Sequence, residues 1–255
     1  MIKILSAEWI KIKRTPIKWA SFLTPVIYAI LIIWYYSLKT INSDTQISIF
    51  ETFFQVWTII FIPIGAGLFS GFMIYQEELA GRFNGLLISK LSRLKLYLAK
   101  LIILILLTIV SILIATFILV IGLNYIVHIS VSIPIFILAA IVAGVSAIPL
   151  LSFHLWISFA WGMGASIGIG GGGLLIAALM ATNLGNTVWE YIPWAWPIRI
   201  STLPGLYLLN LADSAFNYAA EETTIGMVCA LIFFIIMLAG GILWFKKWEG
   251  RKMYH

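Results

Sequence analysis

Residues 101–127 read LIILILLTIVSILIATFILVIGLNYIV, and no Asp, Glu, Lys or Arg occurs from residue 101 to residue 189, a run of 89 residues. A helix of about 20 apolar residues crosses a bilayer, so this run alone predicts several spanning helices. The 255-residue chain is 62% hydrophobic and 10% charged, whereas soluble domains carry roughly 25% charged residues. With a mean hydropathy of +1.05, the chain is predicted to be an integral membrane protein.

Charge and cysteine content exclude several other classes of protein. The net charge is +6, but the basic residues stand where apolar runs end, which is typical of topology signals and anionic lipid rather than nucleic acid. The single cysteine, Cys229, excludes a disulfide scaffold and a cysteine-built metal site. The first apolar run is too long for a signal-peptide core, so we expect a retained anchor.

Charge-free windows predict six spanning helices. The predicted ranges are 19–38, 52–75, 101–127, 135–160, 168–187 and 223–245. The breaks within the long apolar run are placed at 128–134 and 162–173, where polar residues or glycines cluster. The predicted fold class is an all-α membrane protein that forms a single transmembrane domain over residues 1–255.

The basic residues predict the orientation of these helices. Fourteen of the 16 lie in the segments 1–18, 76–100 and 246–255. Six spans place these three segments on one side, and Lys39 and Arg199 on the other. Because lysine and arginine accumulate in cytoplasmic segments, both termini are predicted to be cytoplasmic, and residues 185–224 form an extracellular connection.

The N-terminal segment, residues 1–18, has the spacing of an amphipathic helix. Ile2, Leu5, Trp9 and Ile12 recur at the period of one helical face. Such a helix lies in the membrane interface until the chain turns at Pro16 into the first span. The alternative is a leader that is merely positively charged.

The connection from Gln76 to Lys100 is longer than a turn requires. Glu77 and Glu78 precede Arg82 by about one helical turn, which allows ion pairing along a helix. The residues that follow offer an apolar and a cationic face, listed as Leu86, Leu87, Leu91 and Leu94 against Arg93, Lys95 and Lys100. A short helix across the bilayer surface fits this pattern, and an ordinary solvated loop is the alternative.

Two parts of this connection carry a family resemblance. The pattern Gln-Glu-Glu-x-Ala-Gly-x-Phe-x-x-Leu-Leu-x-Ser begins at Gln76, and Ser-Arg-x-Lys-x-Tyr-Leu-x-Lys begins at Ser92. With the basic amphipathic N terminus and six spans, they resemble type-2 ABC exporter permeases, most closely the permease subunits of lantibiotic immunity transporters. The resemblance implies that this segment is the coupling helix that docks on an ATPase. The residues carried over by matching positions are Glu77, Glu78, Gly81, Arg82 and Phe83.

The resemblance also implies the partners and location of the chain. It implies a homodimer or heterodimer of permeases with two cytoplasmic ABC ATPases, in a bacterial plasma membrane. The expected substrate is a lantibiotic or similar amphipathic antimicrobial peptide, and the alternative is another amphiphile, an antibiotic or a lipid. ATP and Mg²⁺ would bind the ATPase, so no cofactor, metal or catalytic residue is expected on this chain.

Two rival functions share features with this sequence. Glu77-Glu78-x-x-x-Arg82 also matches one element of CAAX-type intramembrane proteases, in which glutamate and histidine activate a water. The partner motifs F-x-x-x-H and H-x-x-x-N/D are missing around His128 and His154. A membrane scaffold or sensor without a transport role is the second rival.

The glycine-rich stretch between Gly162 and Gly173 suggests close packing. A phosphate-binding loop would continue into Gly-Lys-Ser/Thr, which does not follow here, so ATP dependence requires a partner. Small residues let spanning helices approach closely. His154 lies in a predicted span, where a neutral ring with one interhelical hydrogen bond is the preferred interpretation and a functional group the alternative.

The predicted outer connection is rich in aromatic residues. The candidate substrate contacts are Trp189, Glu190, Tyr191, Trp194 and Trp196. An interfacial aromatic belt explains such residues. A pair of short surface or re-entrant helices, whose acidic face attracts a cationic peptide, is the functional interpretation.

Overall fold

The computed structural model of the chain describes residues 1–13, 15–42, 44–89, 91–209 and 213–250. Throughout these ranges the chain forms helices and connections and no strand. Four basic residues used to predict the topology lie outside them, namely Arg14, Lys90, Arg251 and Lys252.

Six helices of the described chain are long and apolar enough to cross a membrane, which confirms the predicted number and fold class. Spans 1 to 6 are Pro16–Ser37, Thr45–Leu79, Arg93–Val127, Ile133–Trp161, Met163–Met180 and Ala219–Lys247. A separate N-terminal helix, α1, runs over Ile2–Lys13.

The α-helical segments within and between these spans are as follows. Span 1 is α2 (Pro16–Ser37), span 2 joins α3 (Thr45–Val56) and α4 (Ile62–Leu79), and α5 (Asn84–Leu87) follows. Span 3 begins as α6 (Arg93–Gly122), span 4 joins α7 (Ile133–Ser146) and α8 (Ile148–Trp161), and span 5 is α9 (Met163–Met180). The last helices are α10 (Trp196–Thr202) and α11 (Asp213–Lys247), which contains span 6.

Local chemistry sets several of these boundaries. Pro16 stands at the first position of span 1, where its missing N–H costs no helical hydrogen bond. Pro149 stands in the first turn of α8, just after the break at Ala147 inside span 4. A π-helical turn, Trp57–Phe61, interrupts span 2, and a second one, Leu123–Val127, ends span 3.

The break between spans 4 and 5 is much shorter than predicted. Only Gly162 separates the two helices, with a φ angle of 90° that side chains rarely allow. The break predicted over 162–173 thus occupies only its first residue, and the helix predicted over 168–187 instead runs over Met163–Met180, with the remaining glycines inside it. Within the bilayer no water is available to the backbone N–H and C=O groups, so they must bond to one another. Even this glycine-rich segment is therefore helical.

The glycines of span 5 confirm the packing interpretation. A Cβ atom on Gly67 of span 2 would lie 2.6 Å from the carbonyl oxygen of Ser166, and one on Gly170 would lie 2.7 Å from that of Pro63. Both separations are too short for real carbon atoms, so spans 2 and 5 touch through backbone.

The connection after span 5 folds back onto the bundle. It contains short 3₁₀ turns and α10, and α11 begins at Asp213, ten residues before the predicted Thr223. Trp196 and Ile200 of α10 are buried beside Ala230 of span 6. The predicted short helices are present, but they form part of the core.

Candidate functional site

Span 2 ends in a sharp reversal of the chain. Gly81, Arg82 and Phe83 all have positive φ angles, of 121°, 51° and 67°. Glycine adopts such angles easily, whereas arginine and phenylalanine seldom do. The N–H of Arg82 donates to the carbonyl of Glu78 (2.7 Å), and that of Phe83 to the carbonyl of Glu77 (3.1 Å). We call residues 80–92 the reversal loop, and its described part contains one helical turn, α5, where a short surface helix was predicted.

The reversal loop is anchored through an aromatic cluster. Phe83 is buried with its ring 4.9 Å from that of Trp248, just past the end of span 6. The Phe159 ring of span 4 lies 5.4 Å from Trp248 and 4.6 Å from Phe245. Tyr97 of span 3 completes the cluster at 5.7 Å from Phe245. Aromatic pairs at such distances pack favourably beyond the area that they bury, so the loop is joined to spans 3, 4 and 6.

Arg93 joins the start of span 3 to the end of span 6, beside the aromatic cluster. Its Nη1 atom donates to the carbonyl of Phe245 at 3.1 Å and also to that of Trp248. The last carbonyls of a helix lack partners within the helix, and a cation near them is favourable. The start of span 3 therefore caps the end of span 6.

Four charged side chains from three elements form a closed ring beside the loop. Lys100 of span 3 donates to Glu8 of α1 and to Glu77 of span 2, each at 2.6 Å. Lys11 of α1 donates to Glu77 at 2.6 Å and to Glu8 at 2.8 Å. Lys100, Glu8 and Glu77 are buried, and Lys11 is partly exposed. We call these four residues the charge ring.

The charge ring is electrically neutral and fully paired. Two ammonium groups alternate with two carboxylates, and each group contacts both of its neighbours. Burial alone lowers the pKa of Lys11, but its hydrogen bonds to Glu77 and Glu8 outweigh burial and raise that pKa above 10.5. A raised pKa means that the Lys11 ion pairs stabilise the fold fully at neutral pH and are lost only as pH rises through that value.

The charge ring determines which face of α1 is buried. Ile4, Glu8 and Ile12 point inward, whereas Ile2 and Trp9 remain largely exposed. The predicted helix is confirmed, but the predicted apolar face over Ile2, Leu5, Trp9 and Ile12 only partly coincides with the buried one. A glutamate at the centre of the buried face is favourable only because Lys100 and Lys11 neutralise it.

A family comparison identifies the chain. The family model described as "ABC-2 family transporter protein" matches residues 4–170, about two thirds of the chain. The chain belongs to the ABC-2 transporter family. It is thus a multi-pass plasma-membrane protein and the permease subunit of an ABC exporter, and it works with an ABC ATPase. The matched region includes the charge ring, the reversal loop and Gly67. No curated protein matches the chain.

The five coupling residues expected in this permease divide into two groups. Glu77 and Phe83 are buried, whereas Gly81 and Arg82 are exposed and Glu78 is partly buried. Glu77 is shielded from solvent, and its carboxylate pairs with Lys11 and Lys100 in the charge ring. The apolar face expected from the loop is incomplete, since Leu86 is buried and Leu91 exposed. Glu77 and Phe83 hold the loop in place from inside.

Sequence reasoning missed three important residues of the permease. Glu8 and Ile88 were not singled out, and Lys100 was named only as part of a cationic face. Ile88 is 79% exposed at the tip of the reversal loop. The sequence did contain a signal for the two charged residues. Glu8 lies within an apolar helical face and Lys100 stands at the start of a long apolar run, and charged side chains in such places require partners.

The candidate substrate residues of the permease are mostly structural. Trp189 and Trp196 are buried, and Trp196 Nε1 donates to the carbonyl of Glu190 at 2.8 Å. Trp194 packs so closely on span 5 that a Cβ atom on Gly173 would lie 2.0 Å from its Nε1. Tyr191 is 72% exposed. The expected aromatic surface is thus largely a set of core contacts, since each indole fills a gap between spans.

His154 makes the interhelical hydrogen bond that was predicted. Its Nδ1 lies 3.1 Å from Ser166 Oγ of span 5. Ser166 Oγ in turn donates to the carbonyl of Gly67 at 3.0 Å. Because that hydroxyl proton is used, Nδ1–H of His154 is the donor to Ser166. The two bonds join spans 2, 4 and 5.

Proposed function

We propose that this permease exports an amphipathic antimicrobial peptide of the lantibiotic type from the membrane to the exterior, and so protects the cell. The reversal loop would contact a cytoplasmic ABC ATPase, with both termini on the same side. The single observation that carries the coupling role is the anchoring of the loop. Through the aromatic cluster and the charge ring it is joined to α1 and to spans 2, 3, 4 and 6.

The anchoring separates contact residues from positioning residues in this proposal. Ile88, Arg82 and Gly81 are exposed at the loop and are proposed to meet the ATPase, together with Glu78. An exposed apolar side chain beside exposed polar ones is typical of an interface anchor. Glu77, Phe83 and the rest of the charge ring would pass a displacement of the loop to the spans. A rigidly held loop transmits motion, whereas a solvated loop absorbs it.

Weak burial of spans 5 and 6 supports a second permease subunit. Only 22% of the apolar window of span 5 and 17% of that of span 6 is buried within the described chain. Lipid can cover such faces, and so can another permease. We propose a permease dimer, of identical or different chains, with two ATPases that bind ATP and Mg²⁺.

The acidic residues of the predicted outer surface favour a cationic substrate. The connection over residues 185–222 holds four acidic residues and one basic residue, Arg199, and Lys39 is the other basic residue on the predicted outer side. Arg199 donates to the carbonyls of Met180 and Thr182 and so caps span 5, and it also interacts electrostatically with Glu222 and Glu190. The acidic side chains would attract a cationic peptide. Tyr191 and Glu190 are the proposed contacts, and the three tryptophans support them from beneath. Another amphiphile, such as an antibiotic or a lipid, is the alternative substrate.

Reconstitution with the ATPase tests the proposed substrate. The permease and its co-purified ATPase are placed in liposomes, and ATP hydrolysis is measured with increasing amounts of a cationic amphipathic peptide. We expect a saturable rise in hydrolysis and appearance of peptide on the exterior side. If a neutral amphiphile raises ATP hydrolysis and no cationic peptide does, the proposed substrate is wrong. The assignment as an exporter would be unchanged.

A further inference from the structure

A groove runs along the N-terminal helix towards the middle of the bundle. Its outer part, of about 100 Å³, is lined by Trp9, Lys13 and Lys18 among others. Its inner part, of about 160 Å³, is lined by Val110 and other apolar side chains of spans 1 and 3. Both parts share Trp9, so they are neighbouring sections of one groove. We call it the Trp9 groove.

The outer part of the Trp9 groove is cationic. Lys13 is exposed and Lys18 is partly exposed, just before and just after the start of span 1. Among the described residues neither ammonium is ion-paired with a carboxylate. Lys18 Nζ lies 5.4 Å from the ring centre of Trp19, which keeps this cation at the level of an interfacial aromatic. The mouth of the groove therefore suits an anion.

The inner part of the groove is apolar and opens to the bilayer. Leu106 and Val110 are 47% and 39% exposed on its rim. The two serine hydroxyls on its wall are satisfied within the protein, since Ser111 Oγ donates to the carbonyl of Ser21 at 2.8 Å and Ser21 Oγ donates to that of Lys18 at 3.0 Å. Such a wall suits a hydrocarbon chain and no polar group.

The length of the groove corresponds to one leaflet. Lys100 does not line the groove, but its contact with Glu8 places it at the level of α1, and Ser111, at the inner end of the groove, lies 11 positions further along the same helix. At about 1.5 Å per residue this is roughly 16 Å, about half of a hydrocarbon core of about 30 Å. A ligand with its anionic group at the lysines would thus extend to the bilayer centre.

We infer that the Trp9 groove binds one anionic phospholipid, with its phosphate at Lys13 and Lys18 and an acyl chain beside Leu106 and Val110. A zwitterionic lipid would bring its own cation close to both lysines. The bound lipid would lie between α1 and spans 1 and 3, so it also contacts the Trp9 side of α1, which the charge ring does not hold. This inference is independent of the exported substrate.

Lipid retention tests the inference. The full-length permease is purified in nanodiscs of equal phosphatidylglycerol and phosphatidylcholine, and retained lipid is counted by native mass spectrometry after detergent transfer. Lys13→Gln with Lys18→Gln should weaken phosphatidylglycerol retention about 30-fold (about 2 kcal/mol), since each lysine near an anionic surface contributes about 1 kcal/mol. The matched control, Lys246→Gln with Lys247→Gln, removes the same charge from another exposed helix end and should leave retention unchanged.

Two further measurements locate the lipid. A phosphatidylglycerol with a photoreactive acyl chain should crosslink to residues 9–22 and 106–111. Val110→Trp should fill the groove and abolish that crosslink, whereas Ile121→Trp, an equally exposed site elsewhere on span 3, should not. Any of three results would overturn the inference. The two double-lysine variants could lose phosphatidylglycerol equally, the protein could retain both lipids equally, or the crosslinks could fall only in other segments. If Lys13→Gln with Lys18→Gln unfolds, the crosslinks of Val110→Trp and Ile121→Trp still test the inference.

Discussion

Removal of Lys100 is the most direct test of the charge ring. Lys100→Met keeps a long flexible side chain in span 3 but removes the ammonium that contacts Glu8 and Glu77. The ring then holds two carboxylates and only Lys11, so one buried negative charge is uncompensated. We expect a large loss of stability, because both carboxylates are shielded from water.

The magnitude follows from the cost of unpaired buried charge. Removing one partner of a buried ion pair costs about 3–5 kcal/mol. For a chain of this size each kcal/mol lowers Tm by about 2–4 °C, so Lys100→Met should lower Tm by about 10 °C. Adding Glu8→Gln restores neutrality and should recover part of the loss. In such a cycle the double variant is more stable than the single one.

Thermal unfolding of the purified permease in one detergent, followed by tryptophan fluorescence, measures these shifts. Lys95→Met is the matched control, since Lys95 is exposed on the same helix and surface changes cost at most about 0.5 kcal/mol. Equal Tm values for Lys100→Met and Lys95→Met would refute the ring. So would a double variant less stable than the single one.

The charge ring is also expected to affect coupling. A buried ion network contributes little net stability compared with apolar packing, and positional specificity is its better-supported role. In Lys100→Met with Glu8→Gln, the ATPase should remain bound while peptide-stimulated hydrolysis falls. Normal stimulation in that stable variant would show that the charge ring is structural only.

Three other predictions concern the loop, the orientation and the outer face. Ile88→Asp should leave Tm unchanged and weaken ATPase co-purification by at least 10-fold, since an interface anchor contributes about 2 kcal/mol or more. With Cys229 replaced by serine, a cysteine at Asn217 should react in intact cells with an impermeant thiol reagent, and one at Ser92 should not. Trp196→Ala should lower stability by about 3 kcal/mol or more, whereas Tyr191→Ala should spare Tm and reduce peptide stimulation.

Each of these predictions has its own control or contrary result. Ile41→Asp places the same charge on an exposed residue outside the reversal loop and should not affect ATPase binding. Reaction at Ser92 but not at Asn217 would invert the orientation. If Trp196→Ala reduces peptide-stimulated ATP hydrolysis without changing Tm, Trp196 contacts the substrate after all.

Sequence by itself determined the membrane class, the number of spans and the family resemblance. These properties depend on composition within windows of about 20 residues, and the charge-free run from 101 to 189 leaves little choice. The patterns that begin at Gln76 and Ser92 likewise lie within one short segment. The density of glycines predicted that span 5 packs closely, but the predicted break was too long, because glycines within a membrane still form helical backbone hydrogen bonds.

Tertiary structure alone decided how the candidate site is built. Glu8 and Lys100 are 92 positions apart, and Phe83 and Trp248 are still further apart along the chain. Neither pairing follows from a local pattern, since any charged or aromatic residue near a helix end is compatible with solvent, lipid or another helix. Helix packing brought Glu77 and Phe83 inward and left Ile88 exposed. Burial of a charge is favourable only where three elements supply its partners together, and this condition belongs to the packed bundle and to no single segment.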